Sequence, residues 1–480
     1  MHNNNDYEKE LAFQADRRKA TTEFIKIVSD LWYDKAIEIV LFKNQVIDKN
    51  VSDIINLHQY AGEFVQKPIS IFDSVELLRA INDISLPPSK LDIGKLTYEY
   101  HEGNSNTIKA FVYDKLKNAE SFKKIKPKDV ILYGFGRIGR LVARELMAKT
   151  GKGSQMRLRG IVVRGAVTKE SLEKRASLLQ ADSIHGPFNG SVTVNHKKNA
   201  LLINGTTVHI ISAEKPEDID YKSYGITDAL IIDNTGVFRD KKALSRHLKA
   251  KGVSKVLLTA PGKEVPNIVH GVNHTEYDPK SNHIYSAASC TTNAITPILK
   301  VVQDSFEIVK GHIETIHAYT NDQNLVDNMH GKYRRGRAAA LNMVITETGA
   351  GKAVTKALPQ LKDKLTSNAI RVPVPNGSLA ILNLEVNNKT SVNTINNLIK
   401  KHALEGNLVE QIKYSLNNEL VSADIIGTSA PSIYDSKATI VSEDGKNIVL
   451  YVWYDNEYGY SHQVIRLAKY ITNVRRYTYY

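Results

Sequence analysis

The residue best suited to chemistry is Cys290, the one cysteine of the chain, which lies in the polar run Ser-Cys-Thr-Thr-Asn. A helix is predicted over residues 291–302, and Ser289 is predicted to cap it. A sulfur at a helix start meets unpaired N–H groups, which stabilise the thiolate and lower the pKa of the thiol. A lone cysteine is more often a small buried apolar residue, but this polar setting favours a nucleophile that forms covalent intermediates.

A nucleophilic cysteine needs a base, and His317 is the candidate that the pattern supports. It ends the alternating run His-Ile-Glu-Thr-Ile-His, which predicts a strand over residues 312–317. A lone histidine is more often a surface or core residue than a catalyst, so its position alone carries little weight. Cys290 and His317 together would support covalent catalysis through sulfur if the fold brings them side by side.

A glycine-rich turn is the second feature with chemical potential. A strand predicted over residues 130–133 runs into Gly-Phe-Gly-Arg-Ile-Gly, and a helix predicted over 137–148 follows. Gly134 permits the tight turn, Gly136 lets backbone approach a pyrophosphate, and Gly139 lets the helix pack close to the strand. The helix start adds N–H groups and positive charge. This order of strand, turn and helix favours dinucleotide binding over a plain glycine-rich loop.

The end of the second predicted strand, over residues 158–163, leaves the choice of dinucleotide open. An acidic residue there would bind the ribose 2′-hydroxyl of NAD, but Arg164 stands in its place. An arginine favours the 2′-phosphate of NADP, although a side chain that merely faces solvent is an equal alternative. The sequence therefore predicts NAD or NADP as the cofactor without choosing between them, and it predicts no metal.

The first part of the chain, residues 1–128, offers helices and no catalytic constellation. Apolar side chains recur on one helix face, as at Phe24, Ile27, Val28 and Leu31. We predict a mainly helical N-terminal extension of unknown role, which could be a docking or regulatory module or a stabilising appendage.

The remaining chain has the pattern of an α/β protein. From residue 129, short β-branched runs alternate with amphipathic segments, which predicts parallel β/α units. After Cys290 the predicted strands lengthen and alternate, as over 380–386 and 447–453, which indicates a mixed or antiparallel sheet with helices on one side.

These motifs resemble those of the glyceraldehyde-3-phosphate dehydrogenases. The resemblance covers residues 129–480 and none of the first 128, and the motifs follow the family's order. They are Gly-Phe-Gly-Arg-Ile-Gly-Arg from residue 134, Asn-Thr-Gly-Val-Phe from 234, Ser-Cys-Thr-Thr-Asn from 289, His-Ala-Tyr-Thr from 317, Thr-Gly-Ala-Gly-Lys from 348, Arg-Val-Pro from 371 and Trp-Tyr-Asp-Asn-Glu-Tyr-Gly-Tyr-Ser from 453. The implied domains are a Rossmann-type NAD(P)-binding domain over 129–289, completed by the C-terminal helix at about 457–480, and an α+β catalytic domain over 290–456.

The resemblance also implies a role for each matching residue. Cys290 and His317 would be the catalytic thiol and its base. The positions that would bind the substrate phosphate and the incoming phosphate are Ser289, Thr291, Thr320, Thr348, Gly349 and Arg371. Besides the three glycines, the positions that would contact the dinucleotide are Arg137, Ile138, Thr235, Thr259, Asn456 and Tyr460. The implied reaction is the phosphorylating oxidation of D-glyceraldehyde 3-phosphate to 1,3-bisphosphoglycerate, in glycolysis or gluconeogenesis, by a homotetramer.

Two alternatives to this reaction stay open. An erythrose-4-phosphate dehydrogenase would share the thiol and base but would depart from the family at the incoming-phosphate positions. Thr320, Thr348 and Gly349 are retained here, which favours the phosphorylating enzyme. The second alternative is a binding protein of the same fold, which would use its basic surface or its helical extension.

Charge and composition indicate the kind of ligand and the cellular compartment. Residues 1–128 carry equal numbers of acidic and basic side chains, so the formal net charge of +13 lies in the remainder. That excess suits a cleft that gathers several phosphates, and we expect small-molecule substrates rather than nucleic acid or membrane. No apolar stretch approaches the roughly 18 residues that a membrane-spanning helix needs. A single cysteine and a polar N-terminus predict a cytoplasmic enzyme.

Overall fold

The computed structural model describes residues 4–103, 107–122, 125–149, 151 and 154–480. The chain forms two compact units. The first comprises Met1–Pro127, Gly151–Gln155 and Val474–Tyr480, and the second comprises Lys128–Thr150 and Met156–Asn473.

Helices and strands alternate along most of the described chain. The α-helices are α1 (Asn4–Lys35), α2 (Val51–Val65), α3 (Ile71–Asp83), α4 (Ile93–Glu102), α5 (Ile108–Leu116), α6 (Arg137–Ala148), α7 (Lys169–Gln180), α8 (Lys241–Leu244), α9 (Cys290–Phe306), α10 (Ala350–Val354), α11 (Val392–Leu404) and α12 (Tyr458–Ile471). The strands are β1 (Glu38–Leu41), β2 (Asn44–Gln45), β3 (Ser89–Asp92), β4 (Lys128–Tyr133), β5 (Met156–Val163), β6 (Ala181–Asp182), β7 (Gly186–Pro187), β8 (Val192–Asn195), β9 (Ala200–Ile203), β10 (Thr206–Ser212), β11 (Ala229–Asp233), β12 (Val253–Leu258), β13 (Ile284–Ser286), β14 (Ile308–Ala318), β15 (Val344–Thr346), β16 (Leu365–Val372), β17 (Ser378–Val386), β18 (Ile412–Ser415), β19 (Ser432–Asp435), β20 (Ile440–Val441), β21 (Asn447–Tyr454) and β22 (Tyr477–Tyr479).

The first unit has the predicted helices and, in addition, a small sheet. The face of α1 that carries Phe24 and Leu31 is buried, as its periodicity predicted. Ser70 caps α3 by accepting the N–H of Phe72 at 3.1 Å. The sheet has the strand order β2-β1-β3-β22, with β1 and β22 both parallel to β3. These strands escaped the sequence analysis because each has four residues or fewer, too short to show an alternating pattern.

The C-terminal segment differs from its prediction. We expected residues 457–480 to return to the dinucleotide-binding domain. Helix α12 does so and packs against α6, but it ends at Ile471, and β22 joins the sheet of the first unit. Aromatic and β-branched side chains in Tyr-Thr-Tyr favour a strand over a continued helix. Val474 is buried, and the Tyr479 hydroxyl donates a hydrogen bond to Glu99. The last seven residues therefore belong structurally with the N-terminal unit.

The second unit contains the predicted doubly wound sheet. Its strand order is β13-β12-β11-β4-β5-β10-β9-β8, and the six strands from β13 to β10 run parallel to one another. The chain passes from β4 outward through β5 to β10, and then returns to the other side of β4 as β11. Ligands of such sheets bind where the strand order reverses, beyond the carboxyl ends of the strands. Helix α12 packs against α6 beside this sheet.

A mixed sheet carries the catalytic candidates. Its order is β15-β16-β14-β17-β21-β19-β18, with β20 beside β21, and β14 pairs in parallel with β16 and antiparallel with β17. Helix α9 packs on this sheet with apolar side chains such as Ile298 and Leu299 fully buried. The first residue of α9 is Cys290, and the last strand residues of β14 include His317. No helix in the described ranges is both long and apolar enough to cross a membrane.

Candidate active site

The turn before α9 fixes the cysteine. Ser289 is the N-cap residue, in extended conformation, and its Oγ accepts the N–H of Thr292 at 3.0 Å. The amide Nδ2 of Asn293 reaches back to the carbonyl oxygens of Ala287 at 2.7 Å and Ser289 at 2.9 Å. Short polar side chains thus lock the loop onto the first turn of the helix. Cys290 lies at the start of the helix, as predicted, and the residue is half-buried.

The predicted base lies beside this sulfur. His317 Nε2 is 3.7 Å from Cys290 Sγ, and the imidazole is largely buried. Its Nδ1 is 2.7 Å from the carbonyl oxygen of Ala318. With the ring proton on Nδ1, that nitrogen donates to the Ala318 carbonyl and the Nε2 lone pair faces the thiol. The arrangement suits transfer of the thiol proton to Nε2.

Arg371 completes the cluster from the neighbouring strand. The register of β14 and β16 pairs His317 with Arg371, and Arg371 Nη1 donates to Ala318 O at 2.8 Å. The same Nη1 lies 3.0 Å from His317 Nδ1, and the positive charge of the guanidinium opposes protonation of the ring. A half-buried guanidinium here can also bind phosphate oxygens.

The electrostatics differ from the sequence prediction. Burial, reinforced by the charge of Arg371, lowers the pKa of His317 to about 3. Burial raises the pKa of the Cys290 thiol, although the charge of Arg371 opposes this rise. We predicted a lowered thiol pKa from the helix start alone, and enclosure of the sulfur by protein outweighs that contribution. Before substrate arrives, the favoured pair is therefore a neutral imidazole next to a thiol.

Two further side chains in this cluster escaped the sequence analysis. The Tyr454 hydroxyl lies 3.1 Å from Thr291 Oγ1, and the Tyr454 ring meets the imidazole edge-on at a centroid distance of 5.9 Å. Arg335 is buried and forms an ion pair with Asp322. Burial lowers the pKa of both His317 and Arg371, and the charge of Arg335 adds to that lowering. The only sequence signal for Arg335 was its place in the basic run Tyr-Arg-Arg-Gly-Arg.

The other predicted phosphate positions lie on nearby elements. Thr320 follows β14, and its Oγ1 accepts the N–H of Asp322 at 3.4 Å. Thr348 and Gly349 precede α10, which packs against α9. A side chain added at Gly349 would meet nothing within 4 Å, so its backbone is open to a ligand. Within the described chain, no hydrogen bond joins these three residues to the sulfur.

The glycine-rich turn has the geometry of a pyrophosphate site. Gly134 has a backbone φ of 96°, which residues with a Cβ rarely adopt. Its N–H donates to Val162 O at 3.0 Å. A Cβ on Gly139 would lie 2.7 Å from the carbonyl oxygen of Gly134, whereas a Cβ on Gly136 would meet nothing within 4 Å. Gly139 is thus required by packing, while Gly136 leaves the start of α6 open to an anion. The two ribose-bridging phosphates of a dinucleotide fit this position.

Comparison with known proteins decides the family. The family profile described as glyceraldehyde 3-phosphate dehydrogenase, NAD binding domain, matches residues 128–241, and the C-terminal domain profile of the same family matches 289–456. The chain belongs to the glyceraldehyde-3-phosphate dehydrogenase family. It is an oxidoreductase of that family that uses NAD(P), with a Rossmann-type domain and an α+β catalytic domain.

Relatives share different lengths of the chain. A glyceraldehyde-3-phosphate dehydrogenase-like protein of Pseudomonas aeruginosa is 45% identical over 93% of this chain and 97% of its own length. Glyceraldehyde-3-phosphate dehydrogenase 2 of Trichormus variabilis is 42% identical, and the enzyme of Geobacillus stearothermophilus is 40% identical, each over 71% of this chain and 97% of its own length. The Pseudomonas match must therefore reach well into residues 1–128, which the two shorter relatives lack.

Two predicted nicotinamide contacts of this dehydrogenase lie close to the cysteine turn. Asn456 Oδ1 accepts the Ser378 hydroxyl at 2.9 Å, which orients the amide and leaves Nδ2 as a donor for a carboxamide. The Tyr460 hydroxyl donates to Ala288 O at 2.8 Å, two residues before Cys290. Both side chains are buried, so packing fixes their positions and they can orient a nicotinamide ring.

Other predicted cofactor positions contribute backbone more than side chain. Arg137 forms a bidentate ion pair with Asp182 at 3.0 and 3.1 Å and a second pair with Glu457. The hydroxyls of Thr235 and Thr259 both donate to Asp233, at 2.7 and 3.0 Å. These bonds make the side chains structural and leave the N–H groups of the first turn of α6, including that of Ile138, to face a ligand.

Arg164 stands at the mouth of a cavity in the dehydrogenase. The cavity measures about 620 Å³, within the usual size of a cofactor pocket. Its lining includes Gly134 and Thr235 as well as the end of β5, so it adjoins the glycine-rich turn. Of the two alternatives for Arg164, the one in which it faces a ligand cleft therefore has a structural basis.

Proposed function

We propose that this enzyme oxidises D-glyceraldehyde 3-phosphate to 1,3-bisphosphoglycerate with NAD(P) and inorganic phosphate, through a thioester on Cys290. The observation that carries the proposal is the 3.7 Å approach of Sγ to His317 Nε2 next to the Arg371 guanidinium. A nucleophile, a neutral base and an anion-binding group thus lie within one cluster. Relatives named glyceraldehyde-3-phosphate dehydrogenase support the same substrate.

The first half of the reaction uses the thiol and the imidazole. As the aldehyde binds, Nε2 of His317 takes the thiol proton and the sulfur attacks the carbonyl carbon. The imidazolium then returns that proton to the oxyanion, which gives a neutral hemithioacetal and leaves Nε2 free to accept again. Backbone N–H groups at the start of α9, including that of Cys290, would stabilise the oxyanion. The nicotinamide of bound NAD(P) supplies the acceptor for the hydride. His317 takes the hydroxyl proton as the thioester forms on Cys290.

The second half needs two anion positions. We assign the phosphate of the aldehyde to Arg371 and Thr320, because a guanidinium and a hydroxyl are strong partners for phosphate oxygens. The incoming phosphate would use Ser289, Thr291, Thr348 and Gly349 around the starts of α9 and α10. Attack of phosphate on the thioester carbon breaks the carbon–sulfur bond, releases the acyl phosphate and restores the thiol.

Phosphate dependence is the deciding experiment. Steady-state rates should be measured with D-glyceraldehyde 3-phosphate at increasing phosphate, and the acyl phosphate should be trapped and counted against reduced cofactor. We expect one acyl phosphate per reduced cofactor and a rate that falls toward zero without phosphate. Full turnover in phosphate-free buffer would refute the phosphorylating reaction. A higher kcat/KM with D-erythrose 4-phosphate would assign the chain to the alternative substrate instead.

We further propose that the enzyme is a cytoplasmic homotetramer. A basic loop in the catalytic domain leaves large apolar side chains exposed, among them Met329 at 94% and Tyr333 at 93%. Exposed apolar patches of this kind mark protein interfaces. Light scattering coupled to gel filtration should give four chains per particle, and a monomer at micromolar concentration would exclude this assembly.

A further inference from the structure

The mouth of the cavity beside β5 is lined by cations from two elements. Arg164 follows the last residue of β5, and Lys174 and Arg175 lie on successive positions of α7. No Asp or Glu is among the residues that line this cavity. Lys174 and Arg175 lie ten and eleven residues after Arg164 in the sequence, and all three side chains line the same cavity. No sequence motif links these three positions.

These cations keep their charge available to a ligand. Arg164 and Lys174 are exposed, and within the described ranges none of the three forms an ion pair with a carboxylate. Arg175 is half-buried and uses Nη1 to donate to Ser171 O at 2.8 Å, which leaves its other donors free for use. Like charges gathered without a counter-charge repel one another, so an anion in the cavity mouth relieves that repulsion.

The pyrophosphate does not supply this anion. It is placed at the start of α6, where Gly136 leaves the backbone open, while the cations stand beyond the carboxyl end of the next strand, β5. In sheets of this type, the group bound after the second strand is the adenosine ribose. Apolar side chains of Leu178 and Val237 complete the lining, as suits the adenine base.

We propose that Arg164, Lys174 and Arg175 bind the 2′-phosphate of the adenosine ribose and make this enzyme prefer NADP(H). The donor set fits the group, because a dianion can accept bonds from a guanidinium fork and from an ammonium. A ribose 2′-hydroxyl has no carboxylate to bind in this cavity, so NAD(H) gains nothing comparable. This inference rests on the proposed dinucleotide-dependent function and names the cofactor that it uses.

Direct binding tests the inference without turnover. Dissociation constants of NADPH and NADH should be measured by fluorescence, and those of adenosine 2′,5′-bisphosphate and AMP by calorimetry, at two salt concentrations. We expect NADPH to bind at least tenfold more tightly than NADH, and the bisphosphate more tightly than AMP, with an advantage that shrinks at higher salt. The matched variants are Lys174→Gln and, as a control on the same helix outside the cavity lining, Lys169→Gln.

Each outcome decides the matter. Lys174→Gln should weaken NADPH binding severalfold and leave NADH binding unchanged, and Lys169→Gln should alter neither. Equal affinity for the two cofactors, or equal loss of both in Lys174→Gln, would overturn the inference. Oxidation of the aldehyde with a preference for NAD would refute this cofactor assignment alone. Tight, 2′-phosphate-dependent binding without aldehyde oxidation would refute the proposed function alone.

Discussion

Replacement of Gly136 by alanine separates ligand approach from packing in the glycine-rich turn. Gly136 has a φ of −75°, which alanine adopts readily, and the added Cβ would meet no protein atom within 4 Å. The loss of a glycine at the N-cap position costs at most about 1 kcal/mol. The methyl group would instead stand where phosphate oxygens must come to hydrogen-bonding distance of the α6 N–H groups.

The expected loss of affinity follows from those bonds. The added methyl group would keep the phosphate too far from the α6 N–H groups to retain one or two charge-assisted hydrogen bonds. Each of these bonds contributes about 1.5–3 kcal/mol to binding. Since 1.4 kcal/mol is tenfold in affinity, the dinucleotide dissociation constant should rise at least about tenfold. Fluorescence titration with the reduced cofactor measures it, and thermal unfolding of the same sample should show little change.

Gly139→Ala supplies the contrast. Its Cβ would lie 2.7 Å from the Gly134 carbonyl oxygen, so α6 must move away from the turn. Overpacking of this kind costs about 1–3 kcal/mol, partly offset by about 1 kcal/mol of helix propensity. We expect a lower unfolding temperature in this variant and not in Gly136→Ala. Normal cofactor affinity in Gly136→Ala would refute the reasoning, because the pyrophosphate could not then lie over this residue.

Further variants test the thiol, the guanidinium and the N-terminal unit. Cys290→Ser should abolish oxidation while dinucleotide binding persists, and loss of both in a titration would show that the cysteine is structural. Arg371→Lys should raise KM for the aldehyde about tenfold or more, since it loses a charge-assisted bond, whereas an unchanged KM would remove Arg371 from the substrate site. Deletion of Val474–Tyr480 should expose residues 1–127 to proteolysis, because it removes the strand beside β3; unchanged cleavage would contradict this role. His58 is buried, and burial lowers its pKa to about 4, so the unfolded chain takes up a proton first as pH falls below 6.5. The N-terminal unit should lose about 2 kcal/mol of stability between pH 7 and pH 5, and His58→Gln should remove that dependence in urea unfolding; an equal dependence in the variant would assign it elsewhere.

Elements that are specified by residues close together in the sequence were predicted correctly. The prediction of α6 over 137–148 matches the structure to the residue, and Ser289 caps α9 as expected. Both depend on turn residues and periodicity within a few positions of each other. By contrast, β22 forms because β3 offers an edge nearly four hundred residues earlier in the chain. Pairing at such separation leaves no mark in a three-residue strand.

The candidate site shows the same division. Cys290 was found from its own surroundings and His317 chiefly from the family motif that it begins, and the structure brings them together. Their pKa values were not predictable in this way, because they depend on how completely the folded chain encloses both groups and on where Arg371 stands. A helix start favours the thiolate, but enclosure disfavours every charged form, and only three-dimensional packing sets the balance.

That balance bears on how the thiol can react at neutral pH. A buried imidazole with a pKa of about 3 is unprotonated at neutral pH, but it is a weak base, so lasting transfer of the thiol proton to Nε2 is unfavourable in the free enzyme. The thiolate then need not persist before the aldehyde arrives, since the proton moves to Nε2 as the carbon–sulfur bond forms. The imidazolium so produced is stabilised by the hydrogen bond from Nδ1 to the Ala318 carbonyl and by the negative charge that develops on the oxyanion. Enclosure, which at first sight disables the nucleophile, therefore ties its activation to the presence of substrate.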